Sequence, residues 1–187
     1  MESFLFYSVI FLLFTQTISI FAIFLLFRQF GEVYLNTGEG ISRDGLPLEK
    51  KIPSFNAFSF THNKLINSED LIKKPTLIAF ISPHCKPCKA LLKDWSHACE
   101  EYSGKADFVV IILGGEKEVK KMVEKKKIAG EQLWDHHKEL FRKFGVRVTP
   151  FAFALDQHGV VKDKGLCGNK EQIDLLTSSV LENKKGE

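Results

Sequence analysis

Apolar and polar positions divide this chain into three stretches. From Phe4 to Phe27 (FLFYSVIFLLFTQTISIFAIFLLF) there is no charged side chain. As a helix the run reaches about 36 Å, enough to cross a hydrocarbon core of about 30 Å. Ser8, Thr15, Gln16, Thr17 and Ser19 interrupt it, but a helix lets such groups bond to backbone or neighbours. A buried core helix is not expected as an unbroken apolar run at the extreme N-terminus. A cleaved signal peptide would be shorter, with a basic start and a small-x-small site before Arg28. The expectation is a retained transmembrane signal anchor over residues 1–27. Gln29 to Lys51 mixes Gly31, Gly38, Gly40 and Gly45 with alternating charges and reads as a juxtamembrane linker, 28–51.

From about Ile52 the periodicity changes to that of a folded domain, 52–187. Phe55, Ala57/Phe58 and Phe60 alternate with polar residues, turn at His62-Asn63 and resume, which signals a β-hairpin. Ser68, with Glu69 and Asp70, begins a short turn or helix. Leu77 to Ile81 is an apolar strand. A helical pattern (Leu91, Leu92, Trp95, Cys99) follows, to about Tyr102, and Ser103-Gly104 ends it. FVVIIL within Lys105–Gly114 is a buried strand. Glu116 to Ile128 is a lysine-rich amphipathic helix whose charges form a solvated face, and Asp135 to Phe144 is a second short helix. Val146 to Leu155 reads as a strand with Pro150 near its start, where a missing ladder donor is tolerated. Asp156 to Gly159 turns the chain, Val160 to Leu166 returns antiparallel, and Asn169 caps a last helix, Lys170 to Leu181. The tail 182–187 is expected to fray. The order β–α–β–α–β–β–α after a hairpin predicts an α/β domain, a mixed sheet with helices on both faces.

The chemistry is concentrated where the first long strand meets its helix. Ser82-Pro83 stops the strand, and Cys85 and Cys88 follow in a Cys-x-x-Cys spacing at the helix start. Unpaired N–H groups at a helix N-terminus favour a thiolate over a thiol. His84, Lys86 and Lys89 add positive charge, so the Cys85 pKa is expected below the free value of about 8.5. Pro87 fits the first turn, where its missing N–H costs little. The spacing lets Cys88 close back onto Cys85 and resolve a mixed disulfide. Cys-x-x-Cys is also half of a zinc site, but no second pair exists, Cys99 and Cys167 are isolated, and His136-His137 are adjacent rather than spaced as ligands. No metal and no cofactor beyond the Cys85–Cys88 pair is expected.

At 187 residues the chain holds one domain with length left over, and a net charge of +3 argues against nucleic acid as its main partner. Four cysteines are too few for a disulfide scaffold. Cys99 lies three helical turns past Cys88, about 20° around, and is expected to point inward as an inert thiol. Cys167, at the end of the last strand, is placed on the rim with the cysteine pair, as a spectator or a nearby third thiol, with the spectator reading favoured. His136, His137 and His158 are expected to be exposed.

SPHCKPCK together with VTPFAFALDQHGVVKDKGL resembles the membrane-anchored thioredoxin-like domains of TlpA type. FRQFGEVYL after the anchor and KGLCGNKEQIDLL near the end look like the MauD group within them. The resemblance implies a thioredoxin-like sheet, Cys85 as nucleophile, Cys88 as resolving thiol, and Pro150 as a cis-proline facing them with Thr149 before it, as a substrate-docking pair. The chain departs from the family pattern in having His84 where Trp often precedes the first cysteine. It also has Ala79 and Leu91 where a buried acid often stands. His84, Lys86 and Pro87 are the expected thiolate-tuning residues. A peroxidase on this scaffold would set its cysteine in Pro-x-x-x-Thr/Ser-x-x-Cys, which PHCKPC does not match.

The reading is a membrane-tethered thiol–disulfide oxidoreductase, single-pass, with its domain on the extracytoplasmic side. It would act on an exported cysteine-containing client protein and exchange electrons with a membrane or extracytoplasmic redox partner. The alternative is a membrane-tethered copper or other metal chaperone using Cys85, Cys88 and a His. Such proteins usually space their cysteines by three residues.

Overall fold

The computed structural model of the chain describes residues 6–25 and 44–181, which belong to two separate units. The first is a helix, α1 (Phe6–Leu25), long and apolar enough to cross a membrane. At 1.5 Å per residue it spans about 30 Å. Thr15 Oγ1 donates to the Leu12 carbonyl at 2.9 Å and Thr17 Oγ1 to the Leu13 carbonyl at 2.8 Å. These hydroxyls are therefore satisfied within the helix, as an apolar surrounding requires. The outer ends of the expected anchor, the linker as far as Arg43 with its FRQFGEVYL stretch, and the tail 182–187 lie outside the described residues.

The second unit carries a seven-stranded mixed sheet. Its strands are β1 (Asn56–Ser59), β2 (Lys64–Asn67), β3 (Thr76–Ile81), β4 (Asp107–Leu113), β5 (Glu131–Asp135), β6 (Phe151–Leu155) and β7 (Val161–Leu166). They lie in the order β2-β1-β5-β4-β3-β6-β7. β3, β4 and β5 are parallel, while β1, β2, β6 and β7 join by antiparallel pairing. The helices are α2 (Ser68–Leu71), α3 (Lys86–Glu101), α4 (Glu116–Lys126), α5 (Glu139–Lys143) and α6 (Lys170–Leu181).

The central strands are apolar on both faces because both are covered. On one side Leu77, Ala79, Ile81, Phe108, Val110, Ile112, Ala152 and Ala154 pack with the α3 stripe (Cys88, Leu91, Leu92, Trp95, Ala98) and with Ile173, Leu176 and Val180 of α6. On the other, Phe80 meets Phe141, Phe144 and Phe153 at ring-centroid distances of 5.0, 5.1 and 5.8 Å. Such edge and tilted contacts add to simple area burial.

The structure differs from the sequence reading in four places. β5 was not expected, yet it lies between β1 and β4. Only Leu133 and Asp135 of its five residues are fully buried, and charge at both ends hides the strand pattern. The helix expected from Asp135 is shorter, α5, because Asp135 belongs to β5 and caps it. Its carboxylate accepts the Glu139 and Phe141 amides at 2.8 and 2.9 Å. The strand expected from Val146 begins only after Pro150. Finally, Asp44 to Lys51, read as linker, is bonded to the domain as a strap. Gly45 N–H donates to the Gly145 carbonyl at 3.1 Å, Glu49 N–H to Val161 at 2.8 Å, and Lys51 bridges to Val160. Asp44 is buried and its carboxylate receives Arg147 Nε. Gly45, at φ +75°, lies flat against the aromatic cluster, where an added Cβ would come within 2.5 Å of Phe153.

Candidate active site

β3 is buried along its whole length, so it fixes the position of whatever follows it. Cys85 N–H donates to the Ser82 carbonyl at 3.1 Å and closes a turn at the strand end. Cys85 is then the N-cap of α3, in extended backbone, with Pro87 in the first turn. Cys85 and Cys88 are joined by a disulfide. The Cys88 amide N–H points at Cys85 Sγ across 3.1 Å, the place that a hydroxyl or carboxylate oxygen takes in an ordinary cap. A thiolate at Cys85 would receive that N–H, the positive end of α3 and the nearby Lys86 and Lys89 charges, all of which favour the charged form. Cys85 is half-buried and Cys88 fully buried, so Cys85 is the more exposed member of the pair.

The Thr149–Pro150 peptide bond is cis. Pairing of β3 with the start of β6, Phe80 opposite Phe151, carries this loop to the cysteine end of the sheet. Cys85 Sγ lies 3.5 Å from the Thr149 carbonyl oxygen, and Cys167 N–H donates to the Pro150 carbonyl at 3.4 Å. Pro150 is buried and Thr149 half-buried. Val148 and Leu166 leave 37% and 36% of their surface open and give the loop an apolar border.

His84 does not stand free beside Cys85. Its Nε2 is 3.0 Å from Glu118 Oε2 on α4. Lys86 and Pro87 are exposed. Beneath the cysteines, Ala79 and Leu91 are buried among apolar neighbours, with Cys88 in the same cluster. The buried carboxylates among the described residues are those of Asp44 and Asp135, and both are bonded elsewhere.

Cys167 is fully buried at the end of β7, and burial pushes its thiol up to about 12. Cys99, expected to point inward, is instead half-buried at the border of the α3 stripe. Ala98 takes the inward place, and Cys99 lies about 100° further around. Desolvation, then Glu100 and Asp107, raise its pKa. His136 and His137 are exposed and stacked, with ring centroids 4.1 Å apart, His136 resting on Trp134. His158 is also exposed. Among the described residues no cluster of His, Cys, Asp or Glu could hold a metal ion.

Residues 48–165 match the AhpC/TSA family, a span that includes Cys85, Cys88, Thr149 and Pro150. The chain belongs to the AhpC/TSA family. Among curated proteins it is similar to the methylamine utilization protein MauD of Methylophilus methylotrophus, 26% identical over 141 residues, covering 74% of this chain and 64% of that one. MauD of Methylorubrum extorquens is 29% identical over 114 residues, 59% of this chain and 53% of the relative. The chain thus spans less than two thirds of the length of these relatives. Among solved structures it shares its fold with the DsbE-like thiol:disulfide interchange protein of Chlorobium tepidum (TM-score 0.67, 18% identity, 73% of this chain and 99% of that one). A peroxidoxin, BcpB of Mycobacterium tuberculosis, superposes nearly as well (TM-score 0.63, 15% identity, 72% and 96%). The AhpC/TSA fold alone therefore does not separate peroxide from disulfide chemistry. This member carries a thioredoxin-like fold with a Cys-x-x-Cys disulfide at the start of α3.

Proposed function

We propose that this chain is a membrane-tethered thiol–disulfide oxidoreductase acting on cysteines of exported proteins. The observation that carries the reading is the position of Cys85 Sγ, which touches the Cys88 amide at 3.1 Å and the Thr149 carbonyl at 3.5 Å. One sulfur thus contacts the helix start that activates it and the cis-proline loop on which an extended client segment would lie. In this reading α1, long and apolar enough to cross a membrane, would be the tether, and the domain would face the extracytoplasmic side.

In the reducing direction, Cys85 thiolate attacks one sulfur of a client disulfide. The client S–S bond breaks, a Cys85–client bond forms, and the departing client thiolate takes up a proton. Cys88 then gives its proton to solvent or His84 and attacks Cys85 Sγ. The mixed disulfide breaks, the Cys85–Cys88 bond forms, and the second client thiol leaves. The client gains two electrons and the pair loses two. Oxidation is the same sequence reversed, and a membrane or extracytoplasmic redox partner resets the pair. Thr149 and Pro150 hold the client backbone, while Lys86, Pro87 and His84 shape the charge around Cys85. The pair itself is the only redox group the reading requires.

Equilibration of the full chain in detergent with glutathione buffers, followed by alkylation and mass analysis, tests this. The expected result is a single two-electron transition in which Cys85 and Cys88 appear and disappear together, while Cys99 and Cys167 stay reduced. A pair that does not titrate with glutathione, in a reduced protein that binds copper tightly, would replace the reading with the metal-chaperone one.

A further inference from the structure

A groove of about 460 Å³ opens directly beside the cysteine turn, between the 82–84 loop, the first turn of α3 and one face of α4. Pro83 and Met122 form apolar parts of its lining, and Lys89, Lys121, Lys125 and Lys126 stand around them. The four lysines are exposed, and among the described residues none forms an ion pair. The acid in the lining, Glu118, is taken up by His84 at 3.0 Å. Its neighbour Glu116 is held by Lys120 at 2.6 Å, which keeps its carboxyl below the usual range. From 116 to 127 there are six lysines against three glutamates.

A solvated helix face needs no such geometry. Lysines spread around α4 would satisfy water equally well, whereas these converge with Lys89 of α3 on one concavity. His84 precedes Cys85 and Lys89 follows Cys88, so whatever fills the groove lies at the end of α3 that carries the pair.

We infer that this groove docks an acidic segment of the client protein, with one apolar side chain against Met122 and carboxylates against Lys89, Lys121 and Lys125. The inference rests on the oxidoreductase reading and adds the charge of the partner to it. Like-signed heads around a partly enclosed surface raise the local concentration of an opposite charge and speed encounter, an effect that salt removes. The structure therefore selects disulfides flanked by Asp or Glu over otherwise identical neutral ones.

The test uses the full chain, reduced, in nanodiscs of neutral lipid. Two synthetic peptides with the same intramolecular disulfide differ only in four flanking residues, Glu in one and Gln in the other. Exchange is followed by quenching with acid and alkylating. At low salt the Glu peptide should react about tenfold faster, with the ratio collapsing toward one in 0.5 M salt, where screening cuts the reach of a charge to about 4 Å. Lys121→Glu with Lys125→Glu should remove or invert the ratio, and Lys121→Gln with Lys125→Gln should reduce it. A ratio near one at low salt overturns the groove assignment while leaving the oxidoreductase reading intact. A preference that survives in both variant pairs does the same, because the charge discrimination would then lie elsewhere. A preference lost when the nanodisc lipid is made anionic means that headgroups fill the groove, and overturns the partner assignment. No exchange with either peptide overturns both readings.

Discussion

Gly45 gives a direct test of whether the strap Asp44–Lys51 is part of the folded domain. Alanine there incurs two penalties. The left-handed backbone at φ +75° costs an L-residue about 1–2 kcal/mol. The new Cβ would also stand 2.5 Å from Phe153 Cζ and 2.9 Å from Cε1, in a cluster already filled by Phe80, Phe144 and Phe151. Overpacking of that kind costs about 1–3 kcal/mol more. Gly104 is the control. Its φ is +78°, yet no atom of the described residues beyond its own neighbours lies within 4 Å of where a Cβ would stand. Gly104→Ala should therefore carry only the backbone term, about 1–2 kcal/mol. The entropic gain from stiffening the unfolded chain is common to both substitutions and cancels. Urea unfolding of the full chain in detergent, followed by fluorescence, measures the difference. Both tryptophans, Trp95 and Trp134, lie in the domain, so α1 contributes no tryptophan signal. Gly45→Ala should be less stable than Gly104→Ala by about 1–3 kcal/mol. Equal midpoints with equal slopes would mean that the strap does not rest on Phe153, and the contact described here would be wrong.

Three further outcomes follow from other parts of the molecule. Asp135→Ala leaves the Glu139 and Phe141 amides without their acceptor and should lower unfolding free energy by about 1–3 kcal/mol in the same assay. Burial pushes the Cys167 thiol from its ordinary value near 9.0 up to about 12, so between those values the unfolded state holds fewer protons. Stability due to the buried thiol is complete below pH 9 and falls above it by about 1.4 kcal/mol per pH unit. The stability advantage of the wild type over Cys167→Ala should accordingly shrink from pH 9 to 10.5, and an advantage that grows with pH would refute the burial of this thiol. If α1 is a retained anchor, the chain should stay in the membrane fraction through alkaline carbonate with its N-terminus intact. A soluble product starting beyond Phe27 would show cleavage.

Much of the site was readable in sequence because its parts are local. A wholly apolar strand, a Ser-Pro stop and two cysteines one helical turn apart determine where Cys85 and Cys88 sit, and Thr149-Pro150 followed by FAFAL marks the loop that faces them. What stayed hidden depends on tertiary partners. β5 is a strand because β1 and β4 flank it, not because EQLWD has strand character. Asp44 and Gly45 look like linker residues until Arg147 and the Phe153 ring are set against them. The His84–Glu118 contact joins residues 34 apart, and α4's lysines read as a solvated face until α3 brings Lys89 alongside. Cys99 shows the limit of helical-wheel reasoning. Its angle was right to within one step, but Ala98 took the core position.

The central claim is that Cys85 attacks and Cys88 resolves, and one measurement addresses it without knowledge of the client. Cys88→Ser removes resolution but leaves attack intact. When this variant is reduced and mixed in detergent with a disulfide-containing peptide, it should accumulate one covalent adduct on Cys85, reversible by reductant. Cys85→Ser should form none. Absence of the adduct in Cys88→Ser, or its formation on Cys99 or Cys167 instead, would contradict the account.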